Sequence, residues 1–331
     1  MVLKSLIGAS PNPSTAELLT HLVPPREFVS ARFDNYIPDT RFPSQSDAVA
    51  QAKRFLGIDK SVGGLFRKKQ EPTSGIYLDG GFGVGKTHLL ASIYHAGGGR
   101  KAYGSFLAYT SLIGLLGFAK AVDAFRKYDL VCIDEFELDD PGDTMLMSRF
   151  LTELDKSGTR FAATSNTPPN ALGQGRFAAA DFAREINAMA DKFKMVSVDG
   201  EDYRHRPLEA HSAALSDGDL EKFLGDQGSA GASAYLDDFD ELLGHLKTIH
   251  QSKFEFLVED VDVLGLTNVR VIIDQVEALR FVALVDRLYE RQAVVRNSGV
   301  ALTEVFSSEM LQGGYRKKYL RAISRLGSMT S

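Results

Sequence analysis

Between Gly75 and Val198 short apolar runs alternate with longer stretches in which apolar residues recur every three or four positions. The short runs predict strands at Ile76–Leu78, Ala102–Ala108, Leu130–Ile133, Phe161–Thr164 and Met195–Val198. Helices are expected after residue 87 up to Gly97, after Asp143, and across Phe177–Ala190. Such alternation implies an α/β fold with a parallel sheet flanked by helices on both faces. Upstream, Pro11, Pro13, Pro24, Pro25, Pro38 and Pro43 interrupt any rhythm, and a helix is expected from Ser44 or Ser46 to Gly57.

Past Gly200 the rhythm loosens. Residues 211–233 are rich in Ala, Ser, Gly and Asp and read as a linker or long loop, with room for a short helix at Leu220–Leu224. Beyond it, Phe239, Leu242, Leu243, Leu246 and Ile249 fall at helical spacing, Phe254–Val258 reads as a strand, and Val276–Leu288 reads as an amphipathic helix. A short strand at Ala293–Val295 and a basic helix from Tyr315 to Leu326 follow. The expected organisation is an N-terminal arm and adenine-side segment at 1–72, a core at 73–208, a linker at 209–235 and a smaller α/β or helical subdomain at 236–331.

Composition narrows this little. With 44% apolar and 24% charged residues, the 331-residue chain can bury a core, and its net charge of −5 argues against nonspecific nucleic-acid binding. The single cysteine, Cys132, lies in an apolar run and reads as a core residue in a reducing compartment. No run approaches the roughly 18 apolar residues that span a bilayer. The cytoplasm is the expected location, and attachment at the inner face of the cell membrane is compatible with it.

The segment Gly80-Gly81-Phe82-Gly83-Val84-Gly85-Lys86-Thr87 satisfies G-x-x-x-x-G-K-[ST] and sits between a predicted strand and a predicted helix. Its glycines let backbone N–H groups wrap phosphate oxygens, and the helix N-terminus adds partial positive charge. Lys86 is expected on the β- and γ-phosphates and Thr87 on Mg²⁺, with His88 completing the nucleotide-binding segment. ATP or ADP with magnesium is the expected ligand. The run Leu130–Ile133 delivers Asp134 and Glu135 to a strand's carboxyl end, where open α/β sheets bind ligands. Asp134 suits the metal; Glu135 suits a base for water, which favours hydrolysis over transfer to a second substrate, although it could also cap a turn.

Asn166, ending the next apolar run, can position the attacking water or simply form a turn. Arg176, in a glycine-rich loop ten residues later, is a candidate arginine finger acting on a neighbouring subunit, or a surface arginine; Arg184 is the reserve. The stretch Arg32–Pro38 either lines an adenine pocket or forms a hydrophobic clasp on the core.

With these motifs in order, the chain resembles AAA+ ATPases, and among them the ZapE family of bacterial cell-division ATPases and their mitochondrial relatives. The carrying stretches are YLDGGFGVGKTHLL at 77–90, CIDEFELDDPGDTMLMSRFL at 132–151 and ATSNTPPNAL at 163–172. The later VDGEDYRHRPL at 198–208, ALRFVALVDRLYER at 278–291 and YRKKYLRAISRL at 315–326 narrow the resemblance to this family. It implies a P-loop AAA+ core in a homo-oligomer that remodels or regulates a protein partner, with Asn166 as sensor 1, Arg176 as the finger, and Arg280 or Arg325 as sensor 2. For the bacterial members it also implies association with the division protein FtsZ and the inner membrane. Two stretches, 103–109 and 211–233, depart from the family pattern and bear on the partner. The competing expectation is a nucleic-acid-associated AAA+ loader of the helicase-loading type, disfavoured by the net charge; a P-loop kinase is disfavoured by Glu135.

Overall fold

The computed structural model describes residues 3–58, 74–81, 83–136, 141–166, 191–201 and 213–330. The chain divides into two units, Thr15–His205 and a second that joins Met1–Ser14 to Arg206–Ser331.

In the first unit, helix α1 (Thr15–Thr20) precedes α2 (Pro43–Leu56), which begins on a proline, where the missing N–H costs nothing, and ends at Gly57 in the left-handed conformation, φ 74°. Strand β1 (Gly75–Asp79) leads through the glycine loop into α3 (Lys86–Ala96), and β2 (Lys101–Ser105) follows. Helices α4 (Phe106–Leu116) and α5 (Phe118–Phe125) come next, broken at Gly117, φ 78°. Strand β3 (Leu130–Asp134), α6 (Pro141–Asp155), β4 (Arg160–Ser165) and β5 (Phe193–Ser197) complete the unit.

The five strands form a parallel sheet in the order β2-β3-β4-β1-β5. Its central strands are buried on both faces, which is why β3 and β4 read as continuous apolar runs rather than alternating ones. Cys132 is fully buried in β3, and burial pushes its thiol far above the ordinary range, so it stays a neutral core residue. The expected strand Ala102–Ala108 stops at Ser105, because the Ser105 hydroxyl accepts the Ala108 N–H at 3.2 Å and starts α4. The helix expected across Phe177–Ala190 lies outside the described residues.

The second unit carries α7 (Asp217–Ser229), β6 (Ala234–Asp238), α8 (Phe239–Leu246), α9 (Phe254–Leu257), β7 (Val263–Val269), α10 (Gln275–Arg291), β8 (Val294–Gly299) and α11 (Arg316–Met329). The strands form a parallel sheet ordered β6-β7-β8. Leu264 and Leu266 pack with Leu242, Phe281, Leu284 and Tyr319, whereas Val263 packs with Leu220 and Leu224 of α7. Alternation along β7 thus fills both faces. Gly265 is needed there: a Cβ would sit 2.5 Å from a Leu224 methyl.

Both edges of this small sheet are covered. Lys4 and β6 exchange backbone hydrogen bonds, Lys4 N–H to Ala234 O at 3.1 Å and Leu236 N–H to Lys4 O at 2.9 Å. On the other side the Leu215 N–H reaches Asn297 O at 2.8 Å. Short covering segments of this kind blunt an edge that would otherwise pair with other chains.

Three expectations change here. In the stretch 209–235, read as a linker or long loop with room for a short helix at Leu220–Leu224, the described residues hold a longer helix, α7, with an edge bridge and the start of β6. The first 14 residues of the expected arm belong with the C-terminal unit. Phe254–Val258 is helical instead of extended, because Phe254, Leu257 and Val258 are the residues buried, at spacing i, i+3, i+4. Among the described residues no single helix is long and apolar enough to cross a membrane.

Candidate nucleotide site

The sheet register brings the expected motifs together. Asp79, ending β1, lies opposite Ser165 of β4, and Ile133 of β3 lies opposite Ala163. The carboxyl ends of β1, β3 and β4 therefore present the glycine loop, Asp134-Glu135 and Asn166 side by side, where this class of sheet binds ligands.

Each part of the loop is shaped by its glycines. Gly83 and Gly85 hold φ of 71° and 90°, a region that costs other residues strain. A Cβ on Gly80 would overlap the carbonyl oxygen of Val198, and one on Gly85 would lie 2.7 Å from the Tyr36 ring. Gly85 also begins α3, so the helix N-terminus carrying Lys86 and Thr87 opens directly from the loop. Gly81 and Val84 are described with it; Phe82 lies outside the described residues, as do Arg176 and Arg184.

Lys86 is 8% exposed, and its ammonium donates to Gly80 O at 2.8 Å, to Gly81 O, and to Asn166 Oδ1 at 3.0 Å. Thr87 Oγ1 lies 3.4 Å from Asp134 Oδ1. The P-loop, the acidic strand and the strand ending at Asn166 are thus linked by side-chain contacts. Glu135 follows Asp134 in the left-handed conformation, φ 51°, and its N–H is shared between Asp134 Oδ1 and Thr164 Oγ1 at 3.1 Å each. Phe136, whose N–H donates to Thr164 O at 2.7 Å, is anchored among Tyr77, Phe106 and Phe193. That anchor holds the turn despite the unfavourable φ, a strain of the kind that concentrates at functional sites.

Burial, with Glu135 next to it, raises the Asp134 carboxyl above its ordinary range; hydrogen bonds from Thr164, Tyr103 and the Glu135 N–H work against that rise. Asp79 is likewise raised by burial, opposed by the charge of Lys86. A bound cation would favour the ionised form of Asp134 further.

The segment Arg32–Pro38 is a clasp at Phe33 and Tyr36, both buried with Ala48, Val84 and Leu89. The Tyr36 hydroxyl donates to Val84 O at 3.2 Å, on the loop itself. His88 ties the same segment to α3: its Nε2 lies 3.2 Å from Arg32 O and 3.0 Å from Asn35 Oδ1. Both partners accept only, which fixes Nε2 as the protonated nitrogen. Ile37 stays 90% exposed.

The two arginines expected as sensor 2 both belong to the other unit and are engaged within it. Arg280 donates to Leu246 O at 2.6 Å and to Ile249 O at 2.8 Å, and Arg325 pairs with Asp286. Sequence reasoning gives no role to Tyr103 or Thr164, whose hydroxyls contact Asp134, at 2.8 Å to Oδ2 for Tyr103. Only the strand order β2-β3-β4, absent from the sequence, shows that both flank the acidic strand.

A glycine loop joining strand to helix, an acidic strand end and a polar residue on the intervening strand are the parts of a P-loop ATPase. The AFG1-like ATPase family model matches residues 13–223 and 228–331, and the chain belongs to that family. The chain is similar to the cell division protein ZapE of Escherichia coli (strain K12), at 28% identity over 328 residues and 85% of each chain. It is also similar to lactation elevated protein 1 homolog B of Danio rerio, at 27% identity over 169 residues, 43% of this chain and 33% of that one. Among solved structures, AMPPCP-bound DnaA from Aquifex aeolicus aligns at 14% identity with a TM-score of 0.40, over 91% of this chain and 97% of that one.

Proposed function

We propose that the Thr15–His205 unit hydrolyses ATP with Mg²⁺ and that an oligomer of the chain uses the energy to remodel or regulate a protein partner. The observation that carries the reading is the junction of Lys86, Thr87, Asp134 and Asn166 at the carboxyl ends of three adjacent strands.

In this reading the backbone N–H groups of the loop and the α3 N-terminus hold the phosphates. Lys86 exchanges its contacts with Gly80 and Gly81 for the β- and γ-phosphates. The residues fit magnesium, since Thr87 Oγ1 and Asp134 Oδ1 are two hard oxygens 3.4 Å apart, one of them anionic. When bound, the ion neutralises charge that develops on the phosphates. Glu135 accepts a proton from the attacking water, and Asn166 orients that water. Arg176 from a neighbouring subunit supplies the cation that stabilises the γ-phosphate in the transition state.

The similarity to a cell division protein supports a role in division; in this reading the partner is FtsZ and the chain works in the cytoplasm at the inner face of the membrane. Lys86→Ala is expected to lose nucleotide affinity. Glu135→Gln is expected to retain ATP while losing turnover by about 10²-fold, the scale of a general base. A fluorescent ATP analogue and phosphate release separate the two effects. Near-normal turnover in Glu135→Gln removes Glu135 from the chemistry, and unaltered binding in Lys86→Ala removes the P-loop.

A further inference from the structure

We infer that Tyr103 and Thr164 are positioning residues for Asp134, their two hydroxyls gripping one carboxylate oxygen each and so setting how readily the site takes up the metal with ATP. The inference rests on the reading that Asp134 serves a magnesium–nucleotide pair.

Neither hydroxyl reaches Asp134 by accident of a mobile surface chain. Both residues are only 2% exposed. The Tyr103 hydroxyl donates to Asp134 Oδ2 at 2.8 Å, and the Thr164 hydroxyl donates to Oδ1. They come from opposite sides, because β3 lies between β2 and β4. In the parallel register Ser105 sits opposite Asp134 and Tyr103 opposite Cys132, two residues earlier on the same face. Two residues of strand span about 6.6 Å, which the length of a phenol covers and a serine or threonine at that position would not. The ring is held in turn by Tyr94, edge-on at 6.0 Å.

The consequences differ for the two residues. With Oδ2 held by Tyr103, the carboxylate has one orientation, and Oδ1 faces Thr87 at 3.4 Å. Removing the phenol hydroxyl leaves a buried oxygen without that donor and frees the group to rotate about its χ2 bond. Loss of such a partner behind a metal ligand typically costs 10- to 100-fold in metal affinity. Thr164 has a second task, since its oxygen also accepts the Glu135 N–H at 3.1 Å and helps to hold the left-handed turn. Its loss therefore reaches the position of Glu135 as well as that of Asp134.

The test titrates MgCl₂ into the full chain with a fluorescent ATP analogue, with an EDTA baseline, and measures phosphate release in parallel. Tyr103→Phe is expected to raise the Mg²⁺ midpoint for tight binding about 10-fold. Its affinity in EDTA should match the parent, and its turnover should recover at saturating Mg²⁺. Thr164→Val is expected to show the same shift plus a loss of turnover that saturating Mg²⁺ does not restore, and Thr164→Ser should behave as the parent. A Tyr103→Phe midpoint equal to the parent's overturns the inference while leaving the ATPase reading intact. A parent chain whose nucleotide binding ignores Mg²⁺ overturns both. Weakened binding by Tyr103→Phe in EDTA shows a general structural defect and also overturns it.

Discussion

Asp286, in the middle of α10, is 5% exposed, and it holds two arginines of α11: Arg321 Nη2 lies 2.9 Å from Oδ2, and Arg325 pairs with Oδ1. Replacing it with asparagine keeps the shape and removes the charge. Breaking a buried ion pair from one side costs about 3–5 kcal/mol, because the remaining charge is stranded. Arg321 and Arg325 keep 19% and 18% of their side-chain surface, so water relieves part of that cost, and about 3 kcal/mol is the expected loss for Asp286→Asn. For a unit of this size that corresponds to a fall in Tm of about 10 °C. Calorimetry of the full chain, with and without ATP, reads it, since nucleotide marks its own unit's transition by shifting it upward.

The pH dependence supplies a second reading. Burial opposes ionisation of Asp286, but the charges of Arg325, Arg321 and Arg287 outweigh it and hold the carboxyl below its ordinary value. Because the folded pKa is the lower one, the stability from Asp286 is complete above the unfolded value near 4 and is lost as pH falls through the folded value. The Tm gap between parent and variant should therefore be full at pH 7 and narrow below about pH 4. A gap under 2 °C at neutral pH, or one that widens in acid, would refute the reasoning.

Two further outcomes follow from the site. Gly80→Ala is expected to abolish nucleotide binding, since the new methyl overlaps the Val198 carbonyl and the strand-to-loop turn must move; an unaltered affinity for the fluorescent analogue would show that the turn can yield. If Arg176 acts in trans, Arg176→Ala and Lys86→Ala should each be nearly inactive, with a loss on the order of 10³-fold for the finger, yet regain activity when mixed. No recovery in demonstrated heteromers removes Arg176 from that role.

Much of the first unit is a local matter, and the chain states it directly. Strands β1, β3 and β4 are short apolar runs because parallel strands covered on both faces must be apolar throughout, and their ends carry Asp79, Asp134 and Ser165 in plain view. The P-loop is legible for the same reason: its glycines answer to backbone constraints within a few residues, as the φ values at Gly83 and Gly85 show. The helix Pro43–Leu56 announces both ends with Pro43 and Gly57. What the sequence leaves open is whatever depends on distant partners. Tyr103 reads as an ordinary strand residue until β2 is set beside β3, and Thr164 as one more polar end until β4 takes the other side. The stretch 213–235 shows in sequence only a short helix at Leu220–Leu224, because those are the residues its helix buries; that the helix runs from Asp217 to Ser229 is decided by the sheet it packs on. Arg325 invites a role at the nucleotide on chain position alone, whereas the fold pairs it with Asp286 of a neighbouring helix. Local sequence sets backbone conformation and strand burial; which side chains then meet is decided by strand order and packing, interactions that join residues 30 or more positions apart.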